Sequence, residues 1–307
     1  MQLKFCYLNN IVLWLVLVSK KIQAVKSYIK VHANIMRTQK TNSIDCKTKY
    51  PILLVHGVGF RDDAKFNYWG RIPKFLIENG ATIFFGEQDA WASVEHNAEM
   101  LQNQLLKIIK ETKYNKVNII AHSKGGLDSR YMISCLGMQK YVASLTTIST
   151  PHHGLKTIDL ACKLPKVIFR FIGFFVDLSF RLLGDKRASF ANTVPQFSKG
   201  FMKTFNEENK DMPGVLYQSY AGKMKNIFSD LLFLLPFPIL SLIDGKNDGL
   251  VSIESAKWGD FKGEIETTKL RGVSHSDEID LWRKDFAGFD ILGFYANILS
   301  ELKKQKM

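Results

Sequence analysis

The residue types best able to do chemistry centre on a serine in a tight turn of small residues. Ser123 lies in the sequence AHSKG, after the apolar run Val117–Ala121 and before a helical stretch over Leu127–Leu136. A turn this sharp between strand and helix strains the serine backbone and requires small residues two positions to either side. Ala121 and Gly125 meet that requirement. The pattern predicts that Ser123 is a nucleophile.

A serine hydroxyl becomes a nucleophile when a histidine accepts its proton and a carboxylate orients that histidine. In this strand-turn-helix setting the acid and then the histidine follow the serine along the chain. His275 lies late in the chain in the polar turn GVSHSD, and Asp244 and Asp248 precede it in DGKNDGLV. We predict His275 as the base. We predict Asp248 as the acid because Asn-Asp-Gly makes the sharper turn, with Asp244 as the alternative.

Four other histidines lie near predicted turns. His56 and His122 flank the two tight turns, and His152 and His153 lie in the loop STPHHG that follows a further strand. We expect these four side chains to pack or hydrogen-bond at the turns, and not to act as the base.

A second motif can stabilise the oxyanion that forms when an ester is cleaved. The apolar strand in YPILLVHGVGF runs into His-Gly-x-Gly, where backbone N–H groups can point at a substrate carbonyl oxygen. Preorganised donors of this kind stabilise a tetrahedral intermediate by about 3–4 kcal/mol each. We predict the backbone N–H groups of Val58 and Lys124 as the two donors.

The elements that position these residues follow from the hydrophobic pattern. From Tyr50 onward, short apolar runs alternate with stretches of helical spacing, which predicts an α/β fold with a mostly parallel central sheet flanked by helices. The predicted strands are Ile52–Val55, Thr82–Phe85, Val117–Ala121 and Leu145–Ile148, and the predicted helices between them are Ile72–Glu78 and Ser93–Glu111.

Two apolar insertions interrupt this alternation. Val167–Leu183 predicts an amphipathic helix with separate apolar and polar faces. The apolar face holds Ile168, Phe171, Ile172, Phe175, Leu178 and Leu182, and the other holds Arg170, Gly173, Asp177 and Arg181. The second insertion, Ile227–Ile243, contains Pro236 and Pro238 and is too broken to span a bilayer. We expect it to be a packed loop near the core.

The basic charge of the chain is concentrated at its start. The net charge is +13, but residues 1–50 hold nine Lys/Arg against one acid and account for +8 of it. This distribution favours targeting or attraction to an anionic membrane over a nucleic-acid surface. Four cysteines without CxxC spacing indicate neither a zinc site nor a disulfide framework.

The first 36 residues are predicted to be a signal peptide or membrane anchor followed by a basic linker. Lys4 precedes an apolar stretch over Phe5–Val18, but Ser-Lys-Lys follows it directly and no small-x-small cleavage site is present. Residues 21–36 fit either a basic amphipathic helix or a linker. We therefore expect a secreted or membrane-anchored protein with its main domain over residues 37–307, a cytoplasmic location being the alternative.

Four motifs in this order resemble the bacterial triacylglycerol lipase family: PILLVHGVGF, AHSKGG, STPHHG, and NDGLVS followed by SHSDE. The resemblance runs from about Tyr50 to near the C-terminus. It implies the α/β-hydrolase fold, the triad Ser123, Asp248 and His275, and the oxyanion donors Val58 and Lys124. It also implies a helical lid insertion over about residues 160–195, with a permanently packed core helix as the alternative interpretation of that segment.

The resemblance bears on metals too. No cofactor is required for the chemistry, but several relatives bind a structural Ca²⁺ through the aspartate two residues after the catalytic histidine, here Asp277. A second calcium ligand has no secure counterpart, and Asp230 is the candidate. The sequence departs from the family at Ala121, where glycine is commoner, and in its leader, which lacks a clean cleavage site.

These observations predict a lipase or carboxylesterase that cleaves acyl esters, triacylglycerols among them, at a membrane or oil interface. The expected partner is the lipid or ester substrate, with no nucleic acid and no obligate protein partner. Two alternatives stay open: an acyltransferase on the same fold, and a membrane-tethered binding protein without turnover.

Overall fold

The structure is a computed structural model that describes residues 44–59, 61–62, 67–286 and 288–307. The predicted leader and linker, residues 1–36, lie outside the described residues, and so does the predicted domain boundary. Across the described ranges, no helix combines the length and apolar character needed to cross a membrane.

The central sheet has six parallel strands within the described part of the chain, in the order β2-β1-β3-β4-β5-β6. Their bounds are β1 Ile52–Val55, β2 Ile83–Phe85, β3 Val117–His122, β4 Val142–Ile148, β5 Leu216–Ala221 and β6 Asp260–Glu264. The first four confirm predicted strands, but β5 and β6 were not predicted from the sequence. An all-parallel sheet with helical connections confirms the predicted fold class.

Ten helices connect or flank the described strands. Their bounds are α1 Ile72–Glu78, α2 Val94–Glu111, α3 Lys124–Ser134, α4 Lys156–Ala161, α5 Lys166–Leu182, α6 Phe190–Thr193, α7 Lys199–Glu208, α8 Pro236–Ile243, α9 Ile253–Ala256 and α10 Ile291–Lys304. The helix predicted at Leu127–Leu136 begins three residues earlier, because α3 starts directly after Ser123.

The sheet is buried on both faces, as parallel sheets are. Ile52 and Leu54 of β1 pack in a cluster that includes residues of α1 and α10. Leu53 and Val55 point to the opposite face and pack with residues of α2 and α3. Since alternate residues of a strand face opposite sides, the continuous apolar run of β1 fills two cores at once.

Every predicted site residue follows the carboxyl end of a strand. Val58 lies after β1, Ser123 and Lys124 after β3, Asp248 in the connection after β5, and His275 in the connection after β6. The carboxyl ends of parallel strands open to one edge of a sheet, where ligands of α/β proteins bind. The topology therefore brings together residues that are more than 200 positions apart in the sequence.

The helix α5 turns its polar face toward the protein and leaves exposed the apolar face that a core helix would bury. Gly173 is buried against Phe190, and Asp177 Oδ1 accepts a 2.6 Å hydrogen bond from the Phe190 backbone N–H. The described apolar side chains Phe171, Ile172, Phe175, Leu178 and Leu182 are 45–80% exposed. The interpretation of this segment as a packed core helix is therefore wrong.

The second insertion is not the packed loop that the sequence suggested. It contains a short 3₁₀ turn, Leu231–Phe233, followed by α8. Phe228, Leu231, Leu235 and Leu242 are each more than 70% exposed. Proline occupies the first turn of α8, where its missing N–H costs nothing, so the two prolines shape this helix instead of breaking it.

Candidate active site

Ser123 occupies a strained turn between β3 and α3. Its φ and ψ are 53° and −130°, in the left-handed region that residues with a side chain rarely adopt. A Cβ added at Gly125 would lie 2.5 Å from the His56 carbonyl oxygen and 2.6 Å from that of Val55. The close approach of α3 to the end of β1 thus requires glycine at position 125.

Asp248 and His275 form a hydrogen-bonded pair at the same edge of the sheet. His275 Nδ1 lies 2.7 Å from Asp248 Oδ2, and the His275 backbone N–H donates to the Asp248 carbonyl oxygen at 2.9 Å. Asp248 Oδ1 accepts hydrogen bonds from the backbone N–H groups of Leu250 and Val251 at 2.9 and 2.8 Å. The carboxylate is therefore fixed by its own turn and orients the ring.

The alternative acid, Asp244, is occupied elsewhere. Its carboxylate accepts the backbone N–H groups of Lys156 and Thr157 at 2.8 and 2.9 Å, together with the Thr157 hydroxyl. Asp244 thereby caps the start of α4, and the structure pairs His275 with Asp248.

Ser123 and His275 both line a cavity of about 420 Å³. Apart from these two residues, Tyr68 and Ser276, the wall is apolar or glycine; it includes Val58, Trp91, Leu155, Phe197, Phe233 and Pro236. The size falls in the range of about 300–1,000 Å³ that is usual for small-molecule sites. The cavity thus combines an apolar chamber with a few convergent polar groups.

The predicted oxyanion donors lie beside Ser123. Val58 lines the cavity, and a Cβ on the preceding Gly57 would lie 2.7 Å from Ser123 Cβ, so the loop after β1 runs directly past the serine. Lys124 is the first residue of α3, where helix N–H groups lack partners within the helix. Its ammonium group is buried 2.5 Å from Asp128, and burial lowers its pKa. Only its backbone can therefore serve the site.

The four histidines that lie at the predicted turns have structural partners. His56 lies within hydrogen-bond distance of the Gly57 and Gln88 carbonyl oxygens, and burial lowers its pKa to about 4. His152 contacts Arg130 and Thr147, with a pKa held well below the usual range by burial and then by the Arg130 charge. The His153 ring lies beside that of Trp258, with centroids 5.7 Å apart and the two planes tilted by 45°.

His122 belongs to a buried network that sequence reasoning missed. Its Nδ1 lies 2.7 Å from the Tyr68 hydroxyl and its Nε2 lies 2.8 Å from Glu278 Oε2. The other Glu278 oxygen accepts the Ser149 hydroxyl at 2.7 Å, and Glu278 Oε2 lies 3.8 Å from His275 Nδ1. Burial raises the pKa of Glu278 well above its usual range, and the charge of Asp248 adds to the effect.

Glu278 is thus a second acid behind the Asp248–His275 pair. The motif SHSDE contains it, and that was the available signal, but the sequence shows neither its burial nor its partners. The ligand-type atoms of His122, His275 and Glu278 lie within 4.8 Å of one another. Since His122 already bonds Glu278 and His275 bonds Asp248, the cluster is a hydrogen-bond network.

The acids proposed for calcium, Asp277 and Asp230, are also engaged. Asp277 is held by the Arg271 guanidinium through two hydrogen bonds, of 2.7 and 3.0 Å. Asp230 accepts hydrogen bonds from Ser274 and Ser276, which lower its pKa against the opposing effect of burial. With a protein cation bonded to both Asp277 oxygens, these residues do not fit a calcium ion.

The parallel sheet, the strained serine turn and the apolar cavity define an α/β-hydrolase. The family model described as palmitoyl protein thioesterase matches residues 51–293, most of the chain. The chain belongs to this family.

Named relatives specify the class of enzyme. Triacylglycerol lipase 2 of Saccharomyces cerevisiae is 33% identical over 265 residues, which cover 78% of this chain and 74% of the yeast protein. Triacylglycerol lipase of Vibrio cholerae is 38% identical over 115 residues, 37% of this chain and 36% of that protein. The predicted membership of a lipase family is confirmed, and the chain is a carboxylic ester hydrolase.

Solved structures agree on the fold. Staphylococcus hyicus lipase superposes with a TM-score of 0.65 at 19% identity, covering 84% of this chain and 96% of that one. Bacillus licheniformis lipase BlEst2 in its mature form gives a TM-score of 0.61 at 24% identity, covering 82% and 92%.

Proposed function

We propose that the chain is a lipase that hydrolyses long-chain acyl esters, triacylglycerols among them, with Ser123 as nucleophile. The observation that carries the proposal is the apolar cavity of about 420 Å³ whose wall contains both Ser123 and His275. An acyl chain can fill such a cavity while its carbonyl carbon lies at the serine. The relatives named as triacylglycerol lipases support this substrate class.

In the proposed mechanism, His275 accepts the Ser123 proton as the serine oxygen attacks the ester carbonyl. Negative charge develops on the carbonyl oxygen, where the backbone N–H groups of Val58 and Lys124 stabilise it. His275 then protonates the departing alcohol, which leaves an acyl-serine. His275 then takes a proton from a water molecule whose oxygen attacks the acyl-serine, and it returns that proton to the Ser123 oxygen as the fatty acid leaves. Asp248 holds the tautomer of His275 and stabilises the imidazolium throughout.

The exposed apolar face of α5 supports work at a lipid surface. Exposed apolar patches on soluble domains mark interaction sites, and none of the described side chains of α5 lines the cavity. Trp91, which does line it, packs against Phe180 of α5 with ring centroids 6.0 Å apart. We propose that α5 acts as the lid and inserts its face into the interface beside the cavity mouth. The exposed residues of the second insertion would add to this surface.

Residues 1–36 support export or attachment to a membrane, since they combine an apolar run with basic residues. The relatives reported above do not favour acyl transfer or binding without turnover. The family description does raise S-acyl thioesters as a second substrate class, because a serine nucleophile forms the same acyl-enzyme from either ester.

The test is hydrolysis by the full chain of p-nitrophenyl esters from acetyl to palmitoyl, an emulsified triacylglycerol and a palmitoyl thioester. We expect turnover of the long-chain oxygen esters, and a loss of about 10³-fold or more in Ser123→Ala. Ser134→Ala, at the last residue of the helix α3 that follows Ser123, is the control and should keep full activity. Equal activity of Ser123→Ala and wild type would show that another residue is the nucleophile. Cleavage of the thioester alone would replace the lipase proposal by the thioesterase.

A further inference from the structure

An ion pair stands next to the proposed base. Asp277 lies two residues after His275, and Arg271 Nη1 and Nη2 donate to its Oδ2 and Oδ1 at 2.7 and 3.0 Å. The side chains are 29% and 5% exposed, so the aspartate is largely removed from water while the guanidinium reaches the surface. Two parallel hydrogen bonds of this kind are both strong and geometrically specific.

The same carboxylate closes the turn that holds His275. Asp277 Oδ2 accepts the Ser274 backbone N–H at 2.9 Å and its hydroxyl lies 2.8 Å away. In return, the Asp277 backbone N–H donates to the Ser274 carbonyl oxygen at 3.0 Å. His275 lies between these two residues. Any cation that fixes Asp277 therefore also fixes the backbone on both sides of the ring.

Asp230 and Asp277 both contact the hydroxyl group of Ser274. Asp230 Oδ2 also lies 2.8 Å from Ser274 Oγ, and it accepts the Trp282 indole N–H at 3.3 Å. Two carboxylates around one hydroxyl repel each other unless a positive charge is close. Arg271 supplies that charge, and its guanidinium is held in place over the Phe286 ring, 3.9 Å from the centroid.

We propose that the Arg271 guanidinium takes the place of a structural cation, so that the turn carrying His275 is held without calcium. A guanidinium has five N–H donors and no acceptor, so it satisfies Asp277 but blocks both of its oxygens from a metal ion. Calcium requires several oxygen ligands, and here the nearest candidates are already bonded. Arg271 is a positioning residue, since it acts on the base through Asp277.

This inference rests on the proposed function only in taking His275 as the base. It predicts how the stability of the fold depends on calcium. Removing Arg271 should leave Asp277 and Asp230 as a pair of acids that a calcium ion can bridge. Binding of calcium to the native state then raises the melting temperature in proportion to the logarithm of its concentration. The readout does not involve turnover.

The experiment is thermal unfolding of the full chain with a chelator, with millimolar CaCl₂ and with millimolar MgCl₂. Wild type should melt at the same temperature in all three. Arg271→Ala should melt about 5 °C lower in chelator, and calcium should restore more than half of that loss. Arg271→Lys keeps the positive charge and should stay indifferent to calcium. The double variant Arg271→Ala/Asp277→Asn lacks the carboxylate and should also stay indifferent.

Two results would overturn the proposal. One is a wild-type melting temperature that falls in chelator and recovers with calcium, since a metal would then bind beside Arg271. The other is an Arg271→Ala variant that is destabilised but does not respond to calcium, which would make Arg271 an ordinary ion-pair partner. If Arg271→Ala does not fold, calcium titration calorimetry on wild type decides: binding that Asp277→Asn abolishes overturns the proposal, and no binding upholds it. Failure of Ser123→Ala to lose activity would refute the lipase proposal while leaving these results intact.

Discussion

We predict that Glu278, which lies beside the proposed base His275, is uncharged in the folded protein. Its carboxyl group is fully buried 3.8 Å from His275 Nδ1, and burial followed by the charge of Asp248 raises its pKa well above its usual range. We expect Glu278 to carry a proton at neutral pH and Glu278→Gln to be nearly silent in turnover. Glutamine matches the neutral acid in size and can keep hydrogen bonds to His122 and Ser149.

The magnitude follows from the distance. A full negative charge 3.8 Å from the ring would stabilise the imidazolium by about 4 kcal/mol at an effective dielectric constant of 20. That free energy equals about three pH units. If Glu278 were ionised, Glu278→Gln would therefore move the acid limb of the pH-rate profile down by up to about three units. With Glu278 neutral, we expect a movement below about half a unit.

The assay is kcat/KM for a soluble short-chain p-nitrophenyl ester from about pH 4 to about pH 10, because kcat/KM reports the free enzyme. Glu254→Gln, at a side chain that is 76% exposed, is the control for removing a glutamate far from the base. A downward movement of the acid limb by more than about one unit in Glu278→Gln alone would refute the reasoning.

The same protonation state affects stability, and the sign can be stated. Below the ordinary pKa of 4.5, Glu278 is protonated in both the folded and the unfolded chain. Above it, only the folded chain keeps the proton, so this group's contribution to stability is lost as the pH rises. Glutamine has no proton to lose. The free energy of unfolding of Glu278→Gln relative to wild type should thus rise with pH above that value, by at most about 1.4 kcal/mol per pH unit, measured by urea unfolding at about pH 5 and about pH 7.

Substitutions at five further positions test the site and its surface. Asp248→Asn should lower kcat on p-nitrophenyl esters by about 10⁴-fold, because asparagine favours the wrong tautomer of the histidine. Asp244→Asn, which only weakens the cap of α4, should lower the melting temperature and leave kcat within about twofold. Gly125→Ala places a methyl group against backbone oxygens and should cost about 1–3 kcal/mol or more in urea unfolding. The pair Phe171→Ser and Phe175→Ser should lower turnover of emulsified triacylglycerol by at least about tenfold, since both rings are more than half exposed, with hydrolysis of a soluble acetyl ester unchanged as the comparison.

The central strands of the sheet could be predicted from the sequence because buried parallel strands consist of short continuous runs of apolar residues. Ile52–Val55 and Val117–Ala121 needed no tertiary information to be recognised. Strand β5, LYQSYA, was missed because its polar residues are satisfied only in the folded state: Gln218 donates to Thr146 at 2.8 Å and Ser219 donates to the Trp258 carbonyl oxygen at 2.7 Å. Strand β6 lies at the sheet edge and contains charged residues and glycine.

Amphipathicity predicted the two faces of α5 but not the direction in which each would point. An apolar face is expected to pack against the protein. Here two contacts from the polar face decide the orientation: Gly173 lets Phe190 approach, and Asp177 accepts the Phe190 backbone N–H. Neither contact can be inferred from helical periodicity, because Phe190 lies beyond the end of the helix.

Four acids surround the proposed base, and their environments give them different roles. Asp248 accepts two backbone N–H groups and orients the His275 ring. Burial, and then the charge of Asp248, raise the pKa of Glu278 well above its usual range, so we expect it to support His122 without adding a second charge beside His275. Asp277 is neutralised by Arg271 and fixes the turn, and Asp230 is satisfied by hydroxyl groups. Of these four acids, Asp248 is the one that hydrogen-bonds the His275 ring, and its charge stabilises the imidazolium. Glu278→Gln and Arg271→Ala test this division separately, because the first changes a proton in the network and the second exposes a charge.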